Sequence, residues 1–201
     1  MIDGVLVFLK NRLNSHFNAL SGLSLDDGGE DRVVFIDGET LDPISFKLEA
    51  VTVLLMNIEE EKILRPADFH SRINESGSSE RANPEIRLNL YVLFVSRFKQ
   101  YERGLNYLSL IVKYFQVNRV FNRQNSPELT GAINQLNVEL ITLPFSEQNE
   151  IWNALRTTYH PSLLYKVKMV VYSDENAVEM PAVCETDMSV QERSPPADTD
   201  S

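Results

Sequence analysis

The stretch that decides the fold is NPEIRLNLYVLFVSRFKQYERGLNYLSLIVKYFQVNRVF, residues 83–121. Residues 86–98 carry apolar side chains at both odd and even positions, which is typical of a strand that is covered on both faces. Residues 101–116 repeat apolar side chains at helical spacing, in a stripe that runs from Leu105 to Phe115. The stretch therefore predicts a central strand followed by an amphipathic helix.

The same patterns continue on either side of this stretch. An amphipathic helix is predicted from Ile2 to Leu20, with Lys10, Arg12 and Asn14 on its polar face. Residues 121–129 break the pattern and predict a turn region. Further strands are predicted at 32–36, 46–58, 136–143 and 163–172, and another helix begins at Ser146. This order predicts an α/β (α+β) fold, in which a mixed, mostly antiparallel sheet of about five strands packs against two to three helices on one main face.

The charge is distributed unevenly along the chain. Of the formal net charge of -10, residues 173–201 carry -7, from eight acidic residues and Arg193, which leaves -3 for residues 1–172. This acidic tail has no aromatic residue, so we expect it to be disordered. The polar composition of residues 66–84 predicts a mobile loop. The predicted organisation is a body of residues 1–172 that contains this loop, followed by the acidic tail.

The sequence disfavours membrane and nucleic-acid binding. The longest apolar runs, 51–56 and 91–95, are far shorter than the roughly 18 residues of a membrane-spanning helix. The N-terminus carries Asp3 and no basic region before its apolar residues, so we expect no secretory signal. The one stretch that mixes basic and aromatic residues, 94–108, is balanced by Glu102 and matches the core face of a helix.

Catalytic and cofactor motifs are also missing from the sequence. The three histidines, His16, His70 and His160, do not have the spacing of metal ligands, and the only cysteine, Cys184, lies in the acidic tail. The sequence contains neither a nucleophile elbow nor a glycine-rich phosphate loop. We therefore expect no catalytic residue, no metal and no cofactor.

A cluster of charge follows the predicted strand at 46–58. The stretch NIEEEKILRP, residues 57–66, contains Glu59, Glu60, Glu61, Lys62 and Arg65. In a strand only Glu59 and Glu61 point the same way, and two carboxylates are too few for a hard metal ion, which prefers six or more oxygen ligands. We favour a charged contact surface, and keep as alternatives a metal site and a small enzyme that uses Glu59 and Glu61.

Four stretches together resemble one protein family. They are NIEEEKILR (57–65), the stretch 83–121 quoted above, LNVELITLPFSEQNEIWNAL (136–155) and YHPSLLYKVKMVVY (159–172). The family is the N-terminal domain of tail-terminator or cap proteins in contractile injection systems of the antifeeding-prophage and virulence-cassette type. The resemblance covers about residues 1–172, without the loop at 66–82 and without the acidic tail.

The resemblance implies a structural protein with a phage-tail-terminator-like fold and no catalytic residues. It implies a homo-hexameric ring that ends the inner tube and contacts the last layer of sheath protein. It further implies assembly in the cytoplasm, as part of a phage-tail-like particle that can be released from the cell. In such a ring the expected contacts with a neighbouring subunit or with the tube are Glu59, Glu60, Glu61, Lys62 and Arg65. The alternative is an adaptor or baseplate-side component of the same machine, which would bind cargo or another subunit without forming a ring.

Overall fold

The structure is a computed structural model, and it describes residues 1–21, 31–36, 44–61, 71–73, 79–81, 86–129, 133–171 and 178–179. The helices in these residues are Ile2–Ser21 (α1), Tyr101–Val117 (α2) and Phe145–Ala154 (α3). The strands are Val33–Phe35 (β1), Ala50–Glu60 (β2), Ser71–Ile73 (β3), Ser79–Arg81 (β4), Ile86–Arg97 (β5), Val120–Asn122 (β6), Ile133–Ile141 (β7), Ser162–Val171 (β8) and Val178–Glu179 (β9). The chain divides into two compact units, residues 1–66 with 85–173 and residues 67–84 with 174–201.

The larger unit contains the three helices and a six-stranded sheet with the order β1-β2-β5-β8-β7-β6. Only β1 and β2 are parallel, and all the other neighbouring strands are antiparallel. This confirms the predicted α+β fold with a mixed, mostly antiparallel sheet. The sheet has one strand more than expected, because β6 overlaps the start of the region that the sequence predicted as a turn and pairs with β7.

Helices α1 and α2 cover one face of the sheet, called here the first face. Its buried core takes alternate residues from the central strands, among them Val53 of β2, Phe94 of β5 and Tyr165 of β8. Successive residues of a strand point to opposite faces, so this core uses one half of each strand's side chains. The stripe predicted for the helix after β5 packs against it through Leu108 and Phe115.

The sheet curls around α1. Phe8 of α1 contacts Phe121 of β6, with ring centroids 5.2 Å apart, while Asn14 of α1 bonds to β1 at the opposite edge. The two helix residues are separated by only about 9 Å along the helix axis. Six flat strands would place the two edges roughly 24 Å apart. One helix can therefore reach both edges only because the edges approach each other.

The second face of the sheet is covered in part by α3. Trp152 of α3 is buried against Leu54 of β2, Leu93 of β5 and Leu164 of β8, which alternate with the residues of the first face. The strands β2 and β5 are therefore apolar on both faces, as their sequences predict. The expectation that all helices lie on one main face is not met, because α3 packs on the opposite side from α1 and α2.

Asn14 lies in the core side of α1 and not on its polar face, where the sequence placed it. Its side chain is 5% exposed. Its Nδ2 donates to the carbonyl oxygen of Val33 at 2.9 Å, and its Oδ1 accepts from the N–H of Val33 at 2.8 Å. A buried amide is stable here because both of its groups are paired. Asn14 thus takes the place of a neighbouring strand along the outer edge of β1.

The smaller unit contains the three short strands β3, β4 and β9, which form an antiparallel sheet in the order β3-β4-β9. These strands lie within the segments predicted as a loop, 66–84, and as an acidic tail, 173–201. Most of both segments lies outside the described residues. The predicted mobility of the loop and the predicted disorder of the tail remain predictions, as does the domain boundary at residue 172.

Candidate contact surface

A β-bulge in β2 decides which way the glutamate cluster faces. Leu55 pairs with Val92 of β5 and Asn57 pairs with Tyr91, so Met56 has no partner across the ladder. One extra residue in a strand reverses the face of every residue that follows it. Strict alternation would place Glu59 on the first face with Leu55. The bulge instead places it on the second face.

Beyond the part covered by α3, the second face is polar. The register between neighbouring strands sets its residues in two rows that run across the sheet. The first row is Asn57, Tyr91, Lys166 and Glu139, and the second row is Glu59, Asn89, Lys168 and Asn137. Cross-strand neighbours on one face have Cβ atoms about 5 Å apart, so the side chains of each row are within reach of one another.

Glu59, in the second row, is held in place by Tyr91 of the first row. The hydroxyl of Tyr91 donates a hydrogen bond to Glu59 Oε2 at 2.7 Å. This bond, with smaller contributions from burial and from the carboxylate charge, raises the pKa of Tyr91 above its usual value. Lys166 Nζ lies 5.6 Å from the centre of the Tyr91 ring, a cation–π distance. The carboxylate of Glu59, the phenol of Tyr91 and the ammonium group of Lys166 thus form one connected group across β2, β5 and β8.

A second charged group lies beside the first. Lys168 Nζ is 3.2 Å from Glu139 Oε1, and Asn137 Nδ2 donates to the same oxygen at 3.5 Å. Lys168 and Glu139 are diagonal neighbours on adjacent strands, and pairs of opposite charge across strands stabilise a sheet by about 1 kcal/mol at most. Together with the group around Glu59 they set side chains of both signs of charge side by side on the second face.

The five predicted contact residues are not all on this surface. Glu59 lies on it, whereas Glu60 pairs with Leu88 and points to the opposite face. Glu61 follows the end of β2, where its backbone N–H donates to Arg87 O at 2.9 Å. Lys62 and Arg65 lie outside the described residues. That these residues contact a partner stays a prediction.

The described part of the chain offers little for catalysis. It contains no group of three or more His, Cys, Asp or Glu side chains that could hold a metal ion. A cleft of about 240 Å³ lies between α3 and strands β7 and β8, and it is lined by apolar side chains, Gln148, Thr142 and Ser162. None of these lining groups titrates near neutral pH, so the cleft supplies no acid or base.

The two described histidines are packed against aromatic rings. His16 lies on α1 with its ring centroid 4.8 Å from that of Tyr114, and burial lowers its pKa. His160 lies at the corner between α3 and β8, 5.5 Å from the ring of Phe46. Burial and, to a lesser extent, the charge of Arg97 lower the pKa of His160. Both environments are those of structural histidines.

Sequence reasoning found part of this surface and missed its centre. The alternation in 136–143 and 163–172 identified Glu139, Lys166 and Lys168 as polar positions on their strands. Asn89 and Tyr91 lie inside the apolar run of β5, and nothing in that run distinguishes them from core residues. The bulge at Met56 depends on the register with β5, which is not a local property of the sequence.

The fold and this surface can be compared with known proteins. A family model described as the Pvc16 N-terminal domain matches residues 4–185, nearly the whole chain. The chain belongs to this family. No match is found among curated proteins. The family confirms the resemblance drawn from the four stretches of sequence.

Two solved structures share the fold of this Pvc16 N-terminal domain. One is a cap of the anti-feeding prophage, described as its tube terminating cap, with a TM-score of 0.51 and 17% identity. The other is the PVC sheath/tube terminator in the extended state, from an extracellular contractile injection system, with a TM-score of 0.54 and 16% identity. The matches cover 70% and 89% of this chain but only 49% and 63% of the two solved chains.

The family and its structural neighbours agree with the predicted class of protein. One neighbour is described as a cap and the other as a terminator, in accord with the prediction of a structural protein. Within the described residues, no helix combines the length and the apolar character needed to cross a membrane.

Proposed function

We propose that this chain is a cap of a contractile injection particle, and that six copies form a ring that ends the inner tube and contacts the last layer of sheath. The observation that carries the proposal is the family match over residues 4–185, together with the shared fold of a tube-terminating cap and a sheath/tube terminator. In this proposal the ring assembles in the cytoplasm and leaves the cell, if at all, as part of the particle.

The polar part of the second face supports an assembly role. A ring of identical subunits uses two different patches, each of which meets the other on the next subunit. The groups around Glu59 and Glu139 present both signs of charge on neighbouring strands. Fixed alternating charges set the register and choice of partner more than they add affinity.

The predicted contact residues enter this proposal as a set. Glu59, Glu60 and Glu61 lie at or just beyond the end of β2, where a partner can reach them from the side of the sheet. Lys62 and Arg65 follow along the chain and would supply the opposite charge. The loop at 66–84 is the segment that we propose becomes ordered when the chain docks on tube or sheath.

The first experiment measures the mass of the purified chain by size-exclusion chromatography with light scattering, together with negative-stain images. A ring near six times 22.9 kDa supports the cap function. If the chain stays a monomer, it is added to purified tube protein. Capped tubes of uniform length then support assembly on the tube end, and tubes of unlimited length contradict the proposal.

The contact residues are tested by a double substitution, Glu59→Ala with Glu61→Ala. We expect this variant to fold normally but to lose ring formation or length control of the tube. The matched control is Glu147→Ala with Glu150→Ala, which removes the same charge from exposed positions of α3. Equal loss in both variants, or no loss in the first, contradicts the assignment.

A further inference from the structure

The amide of Asn89 is an unpaired group inside the polar part of the second face. Asn89 belongs to the second row, where it lies on β5 between Glu59 of β2 and Lys168 of β8. It is 3% exposed, and its Oδ1 has no hydrogen-bond partner among the described residues. A buried acceptor without a partner lowers the stability of a fold, and native proteins contain few such groups. The amide therefore points to a second arrangement of this surface in which it is paired.

The two neighbours of Asn89 bond away from it, to the first row. Glu59 accepts its hydrogen bond from Tyr91, and Lys168 pairs with a carboxylate. Lys168 lies directly opposite Asn89, whereas it meets Glu139 diagonally. Directly opposite Cβ atoms are about 5 Å apart and diagonal ones up to about 8 Å, and the four-carbon stem of a lysine spans either distance. The ammonium group of Lys168 thus has two acceptors within reach, the carboxylate of Glu139 and Oδ1 of Asn89.

A move of Lys168 to Asn89 changes which groups are paired. Oδ1 gains a charged donor, and the carboxylate of Glu59, on the other side of Asn89, attracts the same ammonium group. Glu139 in turn loses its cation, although its side chain is 43% exposed and open to a new one. The move is therefore favourable when another cation takes Glu139.

The unpaired amide also decides the charge of that partner. An acidic partner would draw Lys168 away from Glu139, and the carboxylate and Oδ1 of Asn89 would then both lack a donor. A basic partner at Glu139 releases Lys168 to Asn89, so that all three groups are paired. The direct neighbour of Glu139 on β8 is Lys166, which is engaged elsewhere, with its Nζ 5.6 Å from the centre of the Tyr91 ring.

We propose that Glu139 receives an arginine of a partner protein, and that Lys168 holds the place of this arginine in the free chain and moves to Asn89 when the arginine binds. Arginine suits the site because its planar fork contacts both oxygens of a carboxylate. In the described part of the chain, Lys168 and Asn137 both contact Oε1 of Glu139, so Oε2 remains for the second arm of the fork. The inference rests on the proposed function in one respect, that this surface faces a partner in the particle. It adds the chemistry of the partner and the residues that receive it.

The first test measures what the unpaired amide costs the free chain. Asn89→Leu replaces the amide by an apolar side chain of similar size, and we expect the equilibrium constant for unfolding to fall about five-fold, measured by urea unfolding of the full chain. The matched variant is Thr52→Val, because Oγ1 of Thr52 is also buried without a partner among the described residues. We expect a similar gain there. If Asn89→Leu instead lowers the stability, the amide is already satisfied, for example by a resident water, and the inference is wrong.

The second test follows the rate at which Lys168 is acetylated in the full chain, measured by mass spectrometry. The probe is Nα-acetyl-argininamide at millimolar concentration, and Nα-acetyl-citrullinamide at equal ionic strength is the neutral control. We expect the probe to slow the acetylation of Lys168 about three-fold, because the ammonium group leaves an exposed pair for a hydrogen bond to Asn89. In Asn89→Leu the probe should raise the rate instead, since the released ammonium group has lost its acceptor. Glu139→Gln should abolish the response, and Thr52→Val should keep it.

An internal reference is Lys10, which forms a comparable pair with Asp31 at 3.3 Å. A probe that competes for Asp31 releases Lys10, so its acetylation should rise or stay constant while that of Lys168 slows. Slowing at both lysines, or an equal effect of the citrulline compound, overturns the inference. So does an unchanged rate at Lys168 in the native chain, or slowing of Lys168 in Asn89→Leu.

The outcomes also separate this inference from the cap function. If Lys168 responds to the probe as expected but the chain neither forms rings nor limits tube length, the arginine site stands and the cap function fails. If Glu139→Gln caps tubes as well as the native chain does, the site has no part in docking, and the inference is wrong while the cap function stands.

Discussion

The two faces of the main sheet are built from the same strands but differ in how far their apolar surface extends. On the first face, buried side chains run without interruption from Val33 of β1 to Leu136 of β7. On the second face, the apolar core is confined to the part under α3, and the rest is the polar surface around Glu59 and Lys168. The comparison shows that one sheet can bury apolar side chains across the whole of one side and leave part of the other side polar.

The aromatic residues follow the same division. On the first face the rings of Phe94 and Phe115 both contact that of Tyr165, with centroid distances of 5.7 and 4.9 Å. On the second face Trp152 contacts Phe46 and His160 at 6.1 Å each, at one end of the sheet. The first group lies in the centre of the sheet, and the second attaches a single helix.

The largest expected effect is a loss of folding stability, and we expect it to differ between the core of the first face and the core of the second face. Phe94→Ala removes a ring that lies between α2 and the sheet, so we expect the free energy of unfolding of the whole domain to fall by about 3–5 kcal/mol. Trp152→Ala removes a ring of similar burial, but Trp152 is the one buried residue of α3 and attaches this single helix to the strands. We expect a smaller global loss and local release of α3. Urea unfolding measures the first effect, and hydrogen exchange in residues 145–154 measures the second.

Equal global losses in the two variants would break the comparison. That result would mean that the core under α3 unfolds together with the first face as one cooperative unit. Faster hydrogen exchange confined to α3 in Trp152→Ala would instead confirm that the second face is held less firmly.

Most of the first face could be predicted from sequence, because its signals are local. The helical stripe of α2 and the apolar runs of β2 and β5 are contained in single stretches of chain. The second face could not be predicted in the same way. Whether Glu59 joins Tyr91 depends on the bulge at Met56, which exists only in the register with β5.

Asn14 shows the same limit on the first face. The spacing of Asn14 on α1 predicts that its side chain is exposed. Only the position of β1 shows that the amide is buried, where it bonds to the backbone of Val33. The strand β6 escaped prediction because its three residues form a strand only beside β7. The contact residues stay predictions, since charge in a sequence does not show what meets it.

The next prediction concerns how closely α2 packs on the first face. A Cβ at Gly104 would lie 2.8 Å from Oγ of the buried Ser96, which donates a hydrogen bond to the carbonyl oxygen of Gly104. We expect Gly104→Ala to cost about 1–3 kcal/mol, since the two elements must move apart. Thermal unfolding measures this change. Gly4→Ala is the matched control, because a Cβ there meets nothing within 4 Å, and it should be neutral or slightly stabilising.

The two faces should also lose stability at opposite ends of the pH range. Tyr165, 2% exposed on the first face, has its pKa raised by burial to about 12. The unfolded phenol ionises near pH 10, so the contribution of Tyr165 is complete below pH 10 and falls by about 1.4 kcal/mol at pH 11. Tyr165→Phe should remove this part of the alkaline loss, as measured by urea unfolding at pH 8 and pH 11.

On the second face the corresponding group is His160, whose pKa is lowered mainly by burial. A group that stays neutral when folded but takes up a proton when unfolded lowers stability as the pH falls below about 6.5. We expect His160→Gln to reduce the acid loss of the α3 region, measured by Trp152 fluorescence. His16→Gln is the control, because its ring lies on the first face. Equal effects of the two variants on Trp152 would contradict the assignment.

The smallest expected effect is in the polar surface itself. The ion pair of Lys168 with Glu139 joins two groups that are 34% and 43% exposed, so water screens much of its attraction. A double-mutant cycle with Lys168→Ala and Glu139→Ala should give a coupling of about 0.2–1 kcal/mol that declines in high salt. The Lys10–Asp31 pair on the α1 side, at 3.3 Å, is the control and should give a similar value. A coupling several times larger at Lys168 would mean that this surface is needed for folding, and it would argue against the proposed contact role.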